Sequence, residues 1–183
     1  MASTPRVCRF LHLPVQHADD DILTAMRRRV GFAEFATQVW RACEQIPGLC
    51  VGTDVLVGFP GETEAAFARC IDRLADLPLG LMHVFPYSPR PGTEAANWKG
   101  RVPKTAVERR RAALQELAKT KAAEFATAQC GRSVDVLIES VENDGTAAGW
   151  SDNYLRTVFQ ANDARENTLR TVEVTHVRAD REV

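Results

Sequence analysis

Apolar residues in the first part of the chain alternate between strand-like runs and helical spacing. From Phe32 to Ile46, and again from Phe67 to Leu77, they recur every three or four positions, which predicts two amphipathic helices. Asp19 offers an N-cap for a further short helix that begins near Ile22. The strand-like runs are 8–14, 49–59 and 79–87. Because strands and helices alternate, we expect three parallel strands joined by right-handed crossovers.

The second part of the chain predicts a long helix and a small all-β module. A connection rich in proline and glycine, 88–103, precedes the helix, whose start is predicted by a capping box at Thr105 and Glu108. Beyond Gly131, the stretches "SVDVLIESV", "NYLRTVFQ" and "RTVEVTHV" alternate between apolar and polar residues and are divided by Asn, Asp and Gly turns. This pattern is typical of a small β-barrel. We therefore predict an α/β domain at 1–130 and an all-β barrel at 131–183.

The composition is that of an ordinary globular protein. With 45% hydrophobic and 26% charged residues and a formal net charge of −1, the 183-residue chain resembles an ordinary globular protein and gives no global indication of nucleic-acid binding. No apolar run approaches the ~20 residues of a membrane span, and the start lacks a signal-peptide pattern. We therefore expect a cytoplasmic location and no membrane partner.

Cysteine spacing bears on metal chemistry. The five cysteines are widely spaced, and none form CxxC or CxxxCxxC. Local spacing therefore encodes no zinc or iron–sulfur site. Most of these cysteines are expected to be small buried side chains.

Polar residues follow each predicted strand. Gln16 follows the first strand, Gly58 lies in the turn after the second, and Ser88 and Arg90 follow the third. Because the carboxyl ends of parallel strands meet at one edge of a sheet, these loops converge, which predicts a ligand site without identifying the ligand.

Several individual residues have two interpretations. The stretch "GTDVLVGFPGETE" is either a junction that binds a polar or anionic group at a helix start, or a routine strand-to-helix turn in which Asp54 bonds to backbone. His12 and His83 are each either pocket residues or packed strand residues. The arginine runs at 27–29 and 109–111 cover most of a helix circumference, so each is largely solvated, with one arginine available for a phosphate or carboxylate.

The order of motifs is more specific than any one of them. "LHLPVQ", "ILTAMRRR", "TDVLVGFPGETE", "HVFPYSPRPGT" and a "VP" followed by a long basic helix together resemble the radical-SAM tRNA methylthiotransferases. The version "HVFPYSPRPGT" is most similar to the branch that acts on N6-threonylcarbamoyladenosine at position 37 of tRNA. The resemblance covers nearly the whole chain.

The resemblance implies an architecture and a reaction. Family members hold one [4Fe–4S] cluster in an N-terminal domain and a second in a radical-SAM barrel, which is followed by a small TRAM β-barrel that contacts tRNA. They cleave S-adenosylmethionine reductively and insert a methylthio group at C2 of the adenine. The present α/β domain would correspond to the second half of the radical-SAM barrel, and 131–183 to TRAM. Site roles follow only by resemblance: the residues near S-adenosylmethionine would be Gln16, Arg28, Arg29, Asp54, Gly58, Ser88 and Arg90.

The chain also departs from the family pattern. The Ser-Gly-Ser that usually follows "LPVQ" is replaced by His17-Ala18-Asp19. Both cluster-binding regions are absent, so no metal ligand or catalytic residue is assigned, and the chain alone is expected to be inactive. The segment 131–183 has six arginines, no lysine and ten acidic residues, a net charge of −4. Its candidate RNA-binding residues are Arg132, Tyr154, Arg156 and Arg170, while Phe159 is expected in the barrel core.

Three hypotheses remain open. The chain is the C-terminal portion of a tRNA methylthiotransferase, one half of a split enzyme completed by a separate N-terminal partner, or a non-catalytic tRNA-binding or assembly module. DNA is not an expected partner in any of them.

Overall fold

The computed structural model describes residue 4 and residues 6–178, so the outer limits of the two predicted domains, residues 1 and 183, lie outside the described residues. The first part of the chain forms three strands and three helices in the predicted order. They are β1 (Phe10–His12), α1 (Asp20–Ala25), α2 (Phe32–Gln45), β2 (Cys50–Val57), α3 (Glu64–Ala75) and β3 (Leu81–Pro86).

The three strands form a parallel sheet in the order β1-β2-β3, as expected from the alternation of strands and helices. One face of β2 is buried beneath the helices, where Val51, Val55 and Val57 have no exposed surface. Side chains from α2, α3 and the long helix α4 (Lys104–Thr127) complete this core. The opposite face of the sheet, which carries Asp54 and Leu56, is only half-buried. The sheet therefore has a packed side and an open side.

Helix α1 begins as the sequence predicts, whereas α4 does not. Asp19 is the N-cap of α1, and its side chain accepts a hydrogen bond from the Ile22 N–H at 3.2 Å. The capping box predicted for α4 is wrong: the helix starts at Lys104 with Pro103 at the N-cap, and no side chain caps it. With Thr105 already inside the first turn, its hydroxyl is not in the N-cap position. A short 3-10 helix, Glu94–Asn97, interrupts the irregular connection before α4.

The β module is a four-stranded antiparallel sheet. Its strands are β4 (Ser133–Val141), β5 (Thr146–Ser151), β6 (Arg156–Gln160) and β7 (Leu169–Glu173), in the spatial order β6-β5-β4-β7. The sequence pattern predicts three of these strands but not β5. Within the described residues no ladder joins β6 to β7. The structure therefore contains the predicted antiparallel module without confirming a closed barrel.

Gly149 accounts for the close pairing of β5 with β4. A Cβ at this position would lie 1.9 Å from the Leu137 carbonyl oxygen, so any side chain would collide with the neighbouring backbone. Residues 138–140 form a β-bulge on the opposite strand. The core of the module contains Val134, Val136 and Leu155, with Phe159 packed against it as predicted.

The β module contacts the amino-terminal end of the parallel sheet. Arg9 pairs with the Asp152 carboxylate through two nitrogens, at 2.6 and 2.9 Å. Asn153 is fully buried and donates to the Gly48 carbonyl at 3.1 Å. The bidentate pair and the buried amide fix this end of the sheet against the β module. Over the described residues no helix is long and apolar enough to cross a membrane.

Candidate functional site

A cavity of about 610 Å³ opens at the carboxyl edge of the parallel sheet. It lies where the segments that follow all three strands meet, and residues of the 3-10 helix form part of its wall. Its lining includes Gln16, Met26, Arg28, Leu56, Tyr87 and Trp98. This is the edge at which open α/β folds bind ligands, and the volume is in the range of small-molecule pockets.

Gln16 reaches the cavity from the segment that continues β1. Its N–H donates to the Asp54 carbonyl at 2.9 Å, and its own carbonyl accepts from the Leu56 N–H at 2.7 Å. These two bonds hold Gln16 at a φ of 72°, in the left-handed region that residues with a Cβ seldom adopt. Local backbone strain of this kind is concentrated at ligand sites.

Arg28 lies on the cavity wall and keeps donors available. Its Nη2 donates to the Pro14 carbonyl at 2.8 Å, the one hydrogen bond that its side chain makes to the described residues. The neighbouring Arg27 pairs instead with Glu94 of the 3-10 helix at 2.5 Å. Arg28 can therefore offer further guanidinium N–H groups to a carboxylate or phosphate in the cavity.

An aromatic cluster forms the inner wall. Phe59 makes edge contacts with Tyr87 and Trp98, with ring centroids 5.2 and 5.7 Å apart. The Tyr87 hydroxyl is buried and has no hydrogen-bond partner among the described residues. Because a buried hydroxyl without a partner costs about 1–3 kcal/mol, a polar atom of a ligand is its expected partner.

The Gly-Phe-Pro-Gly turn after β2 is stabilised by a hydrogen bond from its own backbone to the side chain of Glu62, the next residue. The Glu62 carboxylate accepts a hydrogen bond from the Gly58 N–H and lies 3.3 Å from Nη1 of Arg110 on α4. Gly58 has a φ of 83°, and a Cβ there would come within 2.6 Å of Val107. The glycine thus allows α4 to pack directly on the turn, and its N–H is already bonded to Glu62.

The segment that departs from the family pattern is buried and bonded. Asp19 accepts from Arg69 at 2.7 Å in addition to capping α1. Nδ1 of His17 accepts from the Asp19 N–H at 3.0 Å, which leaves the ring proton on Nε2, 3.5 Å from the Glu62 carboxylate. His17-Ala18-Asp19 therefore stabilises the loop that carries Gln16.

Other predicted cofactor residues lie outside the cavity lining. Arg29 is exposed next to the lining residue Arg28, and Ser88 and Arg90 are exposed on the loop between Tyr87 and the 3-10 helix. Asp54 lies on the open face of the sheet, where it contacts two histidines. The predicted roles of these four residues stay predictions.

The candidate RNA-binding residues of the β module differ in their surroundings. Tyr154 is exposed and lies in an aromatic stack, with its ring 4.5 Å from that of Phe10 and 4.9 Å from that of Trp150. Arg156 pairs with Glu139 at 2.7 Å. Arg132 is exposed at the junction between α4 and β4. The exposed Tyr154 thus stacks on one ring of β1 and on one ring of the β module.

Arg170 is paired with a neighbouring acid. Both of its terminal nitrogens bond to Asp163 at 2.7 Å. The side-chain hydrogen bond to Asp163 raises the pKa of Arg170, and the same bond lowers the pKa of Asp163. A phosphate would have to displace this carboxylate.

The cysteines do not form a cluster site. Cys50 and Cys70 are buried and Cys43 is half-buried, but the expectation that most of the cysteines are buried is wrong, because Cys8 and Cys130 are exposed. Within residues 6–178, no three thiols come together, and the one grouping of potential metal ligands consists of two histidines and an aspartate. The described residues therefore do not fit a [4Fe–4S] cluster, which requires at least three converging thiolates.

Sequence reasoning missed the contribution of the irregular connection. Trp98, Glu94 and Ala95 line the cavity, although this stretch has no periodic apolar pattern. The signal that was available is one tryptophan in a segment otherwise rich in proline, glycine and charge, because a large aromatic residue in such a segment is usually packed against something.

Comparisons with known proteins identify relatives over most of the chain. It is 33% identical over 162 residues to the threonylcarbamoyladenosine tRNA methylthiotransferase MtaB of Thermotoga maritima, a match that covers 88% of this chain and 37% of the relative. It is 40% identical over 148 residues to the tRNA-2-methylthio-N(6)-dimethylallyladenosine synthase of Mycobacterium sp. strain MCS, covering 81% and 28%. The synthase of Acidothermus cellulolyticus is 37% identical over 180 residues, covering 96% and 36%. The chain thus spans about a third of the length of these relatives.

A solved structure supports the fold. The coproporphyrinogen III oxidase HemN of Escherichia coli, a radical SAM enzyme, matches 63% of this chain and 27% of its own with a TM-score of 0.51. At 19% identity this likeness concerns the fold alone. No protein-family model matches the chain.

Proposed function

The chain belongs to the radical-SAM tRNA methylthiotransferase family, matching about a third of the length of its relatives, and we propose that it is the part of such an enzyme that seats S-adenosylmethionine and contacts tRNA. The observation that carries the proposal is the cavity of about 610 Å³ at the carboxyl edge of the parallel sheet. Its mixed lining suits a ligand with an aromatic base, an apolar linker and charged ends.

The residues around the cavity fit S-adenosylmethionine. Arg28 supplies guanidinium N–H groups for the methionyl carboxylate, and the unpartnered Tyr87 hydroxyl supplies a polar contact. Phe59 and Trp98 form an aromatic wall suited to the adenine. When bound, S-adenosylmethionine supplies the radical precursor and the transferable methyl group of this family's reaction. The more distant candidates Arg29, Asp54, Gly58, Ser88 and Arg90 remain predicted neighbours of the cofactor.

The [4Fe–4S] cluster must be bound by residues other than those that the structure describes. Since the described cysteines do not converge, the 183-residue chain is proposed to be inactive alone and to act with a cluster-bearing region, on the same polypeptide or on a separate partner. The proposed compartment is the cytoplasm. The proposed substrate is N6-threonylcarbamoyladenosine at position 37 of tRNA, which the motif "HVFPYSPRPGT" favours over the dimethylallyl substrate named for other relatives.

Binding of S-adenosylmethionine tests the proposal directly. Saturation-transfer NMR on the full chain detects weak binding without the cluster. We expect Arg28→Ala to reduce binding at least tenfold, as loss of a charge-assisted pair predicts, and Arg41→Ala, on α2, to leave it nearly unchanged. Both arginines are exposed, but only Arg28 lines the cavity. Absence of binding, or equal losses in both variants, contradicts the proposal.

Binding of tRNA tests the other half of the proposal. Tyr154→Ala breaks the exposed aromatic stack and is expected to weaken salt-dependent tRNA binding by about 1–3 kcal/mol, the usual value of one stacked base. Leu169→Ala is the matched control, because Leu169 is a highly exposed apolar residue of the same module outside the aromatic stack. Binding of tRNA without binding of S-adenosylmethionine would favour a non-catalytic tRNA-binding module.

A further inference from the structure

The open face of the parallel sheet carries two imidazoles and one carboxylate. His12 lies on β1, Asp54 on β2 and His83 on β3. The strand register brings them together, because Asp54 is paired with His83 and His12 is opposite Gly52, the preceding residue on the same face of β2. Nε2 of His12 is 3.1 Å, and Nδ1 of His83 is 3.3 Å, from the same atom, Oδ1 of Asp54.

These separations match the edges of a metal coordination polyhedron. For metal–ligand bonds of about 2.0–2.2 Å in tetrahedral geometry, neighbouring ligand atoms are about 3.3–3.6 Å apart, so the two observed separations are close to this range. The remaining edge, between the two imidazole nitrogens, is no longer than 4.8 Å. It can close by rotation of His83, whose side chain is 50% exposed. Two imidazoles and a carboxylate are a recurrent ligand set for divalent first-row metals that keep open coordination positions.

We propose that His12, Asp54 and His83 form a binding site for a divalent first-row transition-metal ion on the open face of the parallel sheet. The ion would enter from solvent without displacing core side chains, because all three ligands are partly exposed. The open positions would then be available to water or to a donor atom of another ligand. None of the three residues lines the cavity, so the inference does not depend on the proposed function.

Neighbouring residues orient the two histidines of the proposed metal site. A Cβ at Gly52 would lie 2.9 Å from Nδ1 of His12, so the glycine provides the space in which that ring lies across β2. The His83 ring makes an edge contact with Phe85, with centroids 6.2 Å apart. The site also lies on the face of β2 that leads to Leu56 in the cavity wall, about 6.6 Å farther along the strand.

Cobalt and zinc titrations of the full chain test the site. The exposed thiols Cys8 and Cys130 are competing ligands, so the tests use a Cys8→Ser/Cys130→Ser background. We expect one Co²⁺ per chain, with visible d–d absorption and no thiolate charge-transfer band, and one Zn²⁺ per chain by calorimetry. Zn²⁺ should also shift the imidazole NMR signals of His12 and His83.

Substitution assigns the ligands. His12→Gln, His83→Gln and Asp54→Asn should each weaken binding at least tenfold, and Gly52→Ala should weaken it without removing a ligand. His176→Gln is the matched control, since His176 is exposed on the β module away from the cluster. Circular dichroism verifies that each variant is folded. His83→Gln is expected to fold, because the His83 side chain is 50% exposed. No binding, or binding that survives His83→Gln, would leave a hydrogen-bonded cluster only and overturn the proposal.

Discussion

Arg110 of α4 reaches across to Glu62 of the turn after β2, with 3.3 Å between Nη1 and Oε2 and both side chains almost fully buried. Nη1 of Arg110 also donates to the Glu62 carbonyl at 3.0 Å, and Nη2 bonds to Glu64 at 2.6 Å. The conspicuous Gly-Phe-Pro-Gly-Glu stretch is therefore first of all a folded turn clamped to a helix. The ligand cavity beside it uses Phe59 of the same turn.

Removal of the Arg110 charge should destabilise the protein strongly. Arg110→Met leaves the buried Glu62 carboxylate without its cation, and a loss of about 3–5 kcal/mol in the free energy of unfolding is expected in urea. Arg111→Met, one residue along and exposed, should change it by less than about 0.5 kcal/mol. Glu62→Gln combined with Arg110→Met should cost less than the sum of the single changes. Equal effects of Arg110→Met and Arg111→Met would contradict this account.

Gly149→Ala should disrupt the β module. The added Cβ would lie 1.9 Å from the Leu137 carbonyl, so β4 and β5 must separate, at a cost of about 3 kcal/mol or more. Gly61→Ala is the comparison, because Gly61 has a φ of 89° but no atom within 4 Å of the new Cβ. Its cost should be only the strain of the left-handed backbone, about 1–2 kcal/mol. Thermal unfolding followed by circular dichroism measures both, and similar shifts would refute the steric explanation.

Thiol reactivity should divide the cysteines by burial. Burial raises the pKa of Cys50 and of Cys70 to about 12, so almost no thiolate exists at pH 8. Mass spectrometry after brief alkylation should find Cys8 and Cys130 modified. Modification of Cys50 and Cys70 is expected only after unfolding. Rapid labelling of Cys70 in the folded chain would show that the interface between α3 and the Gln16 loop opens.

Asp20 should make stability depend on pH at the acid end. The Phe32 N–H, which donates to Asp20 at 2.9 Å, and then Arg73 lower the pKa of this carboxyl below its value in the unfolded chain. The carboxylate therefore stabilises the fold above the unfolded pKa, and this contribution is lost as pH falls through the lower, folded pKa. Asp20→Asn should reduce stability at pH 6, and the difference from the parent chain should be smaller at about pH 3, below the unfolded pKa, and shrink further as the pH falls through the folded pKa.

The control for this change is Asp21→Asn, whose side chain is 93% exposed. It should change stability little at either pH. Urea unfolding of the three proteins at both pH values measures the difference. A constant gap between the parent chain and Asp20→Asn across the range would contradict the titration.

The α/β part could be predicted because its pattern is regular. The apolar runs of β2 and the helical spacing of α2 and α3 gave the order and direction of the strands. Strand β5 could not be predicted in the same way, since "TAAGWS" contains small residues in place of β-branched ones. Its glycine is required by close approach to β4, which depends on the partner strand and leaves no trace in the local pattern.

The candidate site was predictable in position but not in composition. Convergence of three loops follows from parallel strands alone, and it correctly gave the edge at which the cavity opens. The meeting of His12, Asp54 and His83 depends on the register between strands, which sequence periodicity within one strand does not contain. Each histidine taken singly therefore looked like an ordinary strand residue.

Helix α4 joins the turn beside the cavity to the β module. Its 24 residues extend about 36 Å. Near one end Arg110 is clamped to the turn beside the cavity, and near the other Gln129, just past the helix, accepts from the buried Asn153 of the β module. A helix bonded at both ends holds the turn beside the cavity and the β module at a set separation. Because the Arg9–Asp152 pair and the Phe10–Tyr154 stack join the β module to the same sheet, adding or deleting one turn of α4 would pull these contacts apart and separate the stack from the cavity edge.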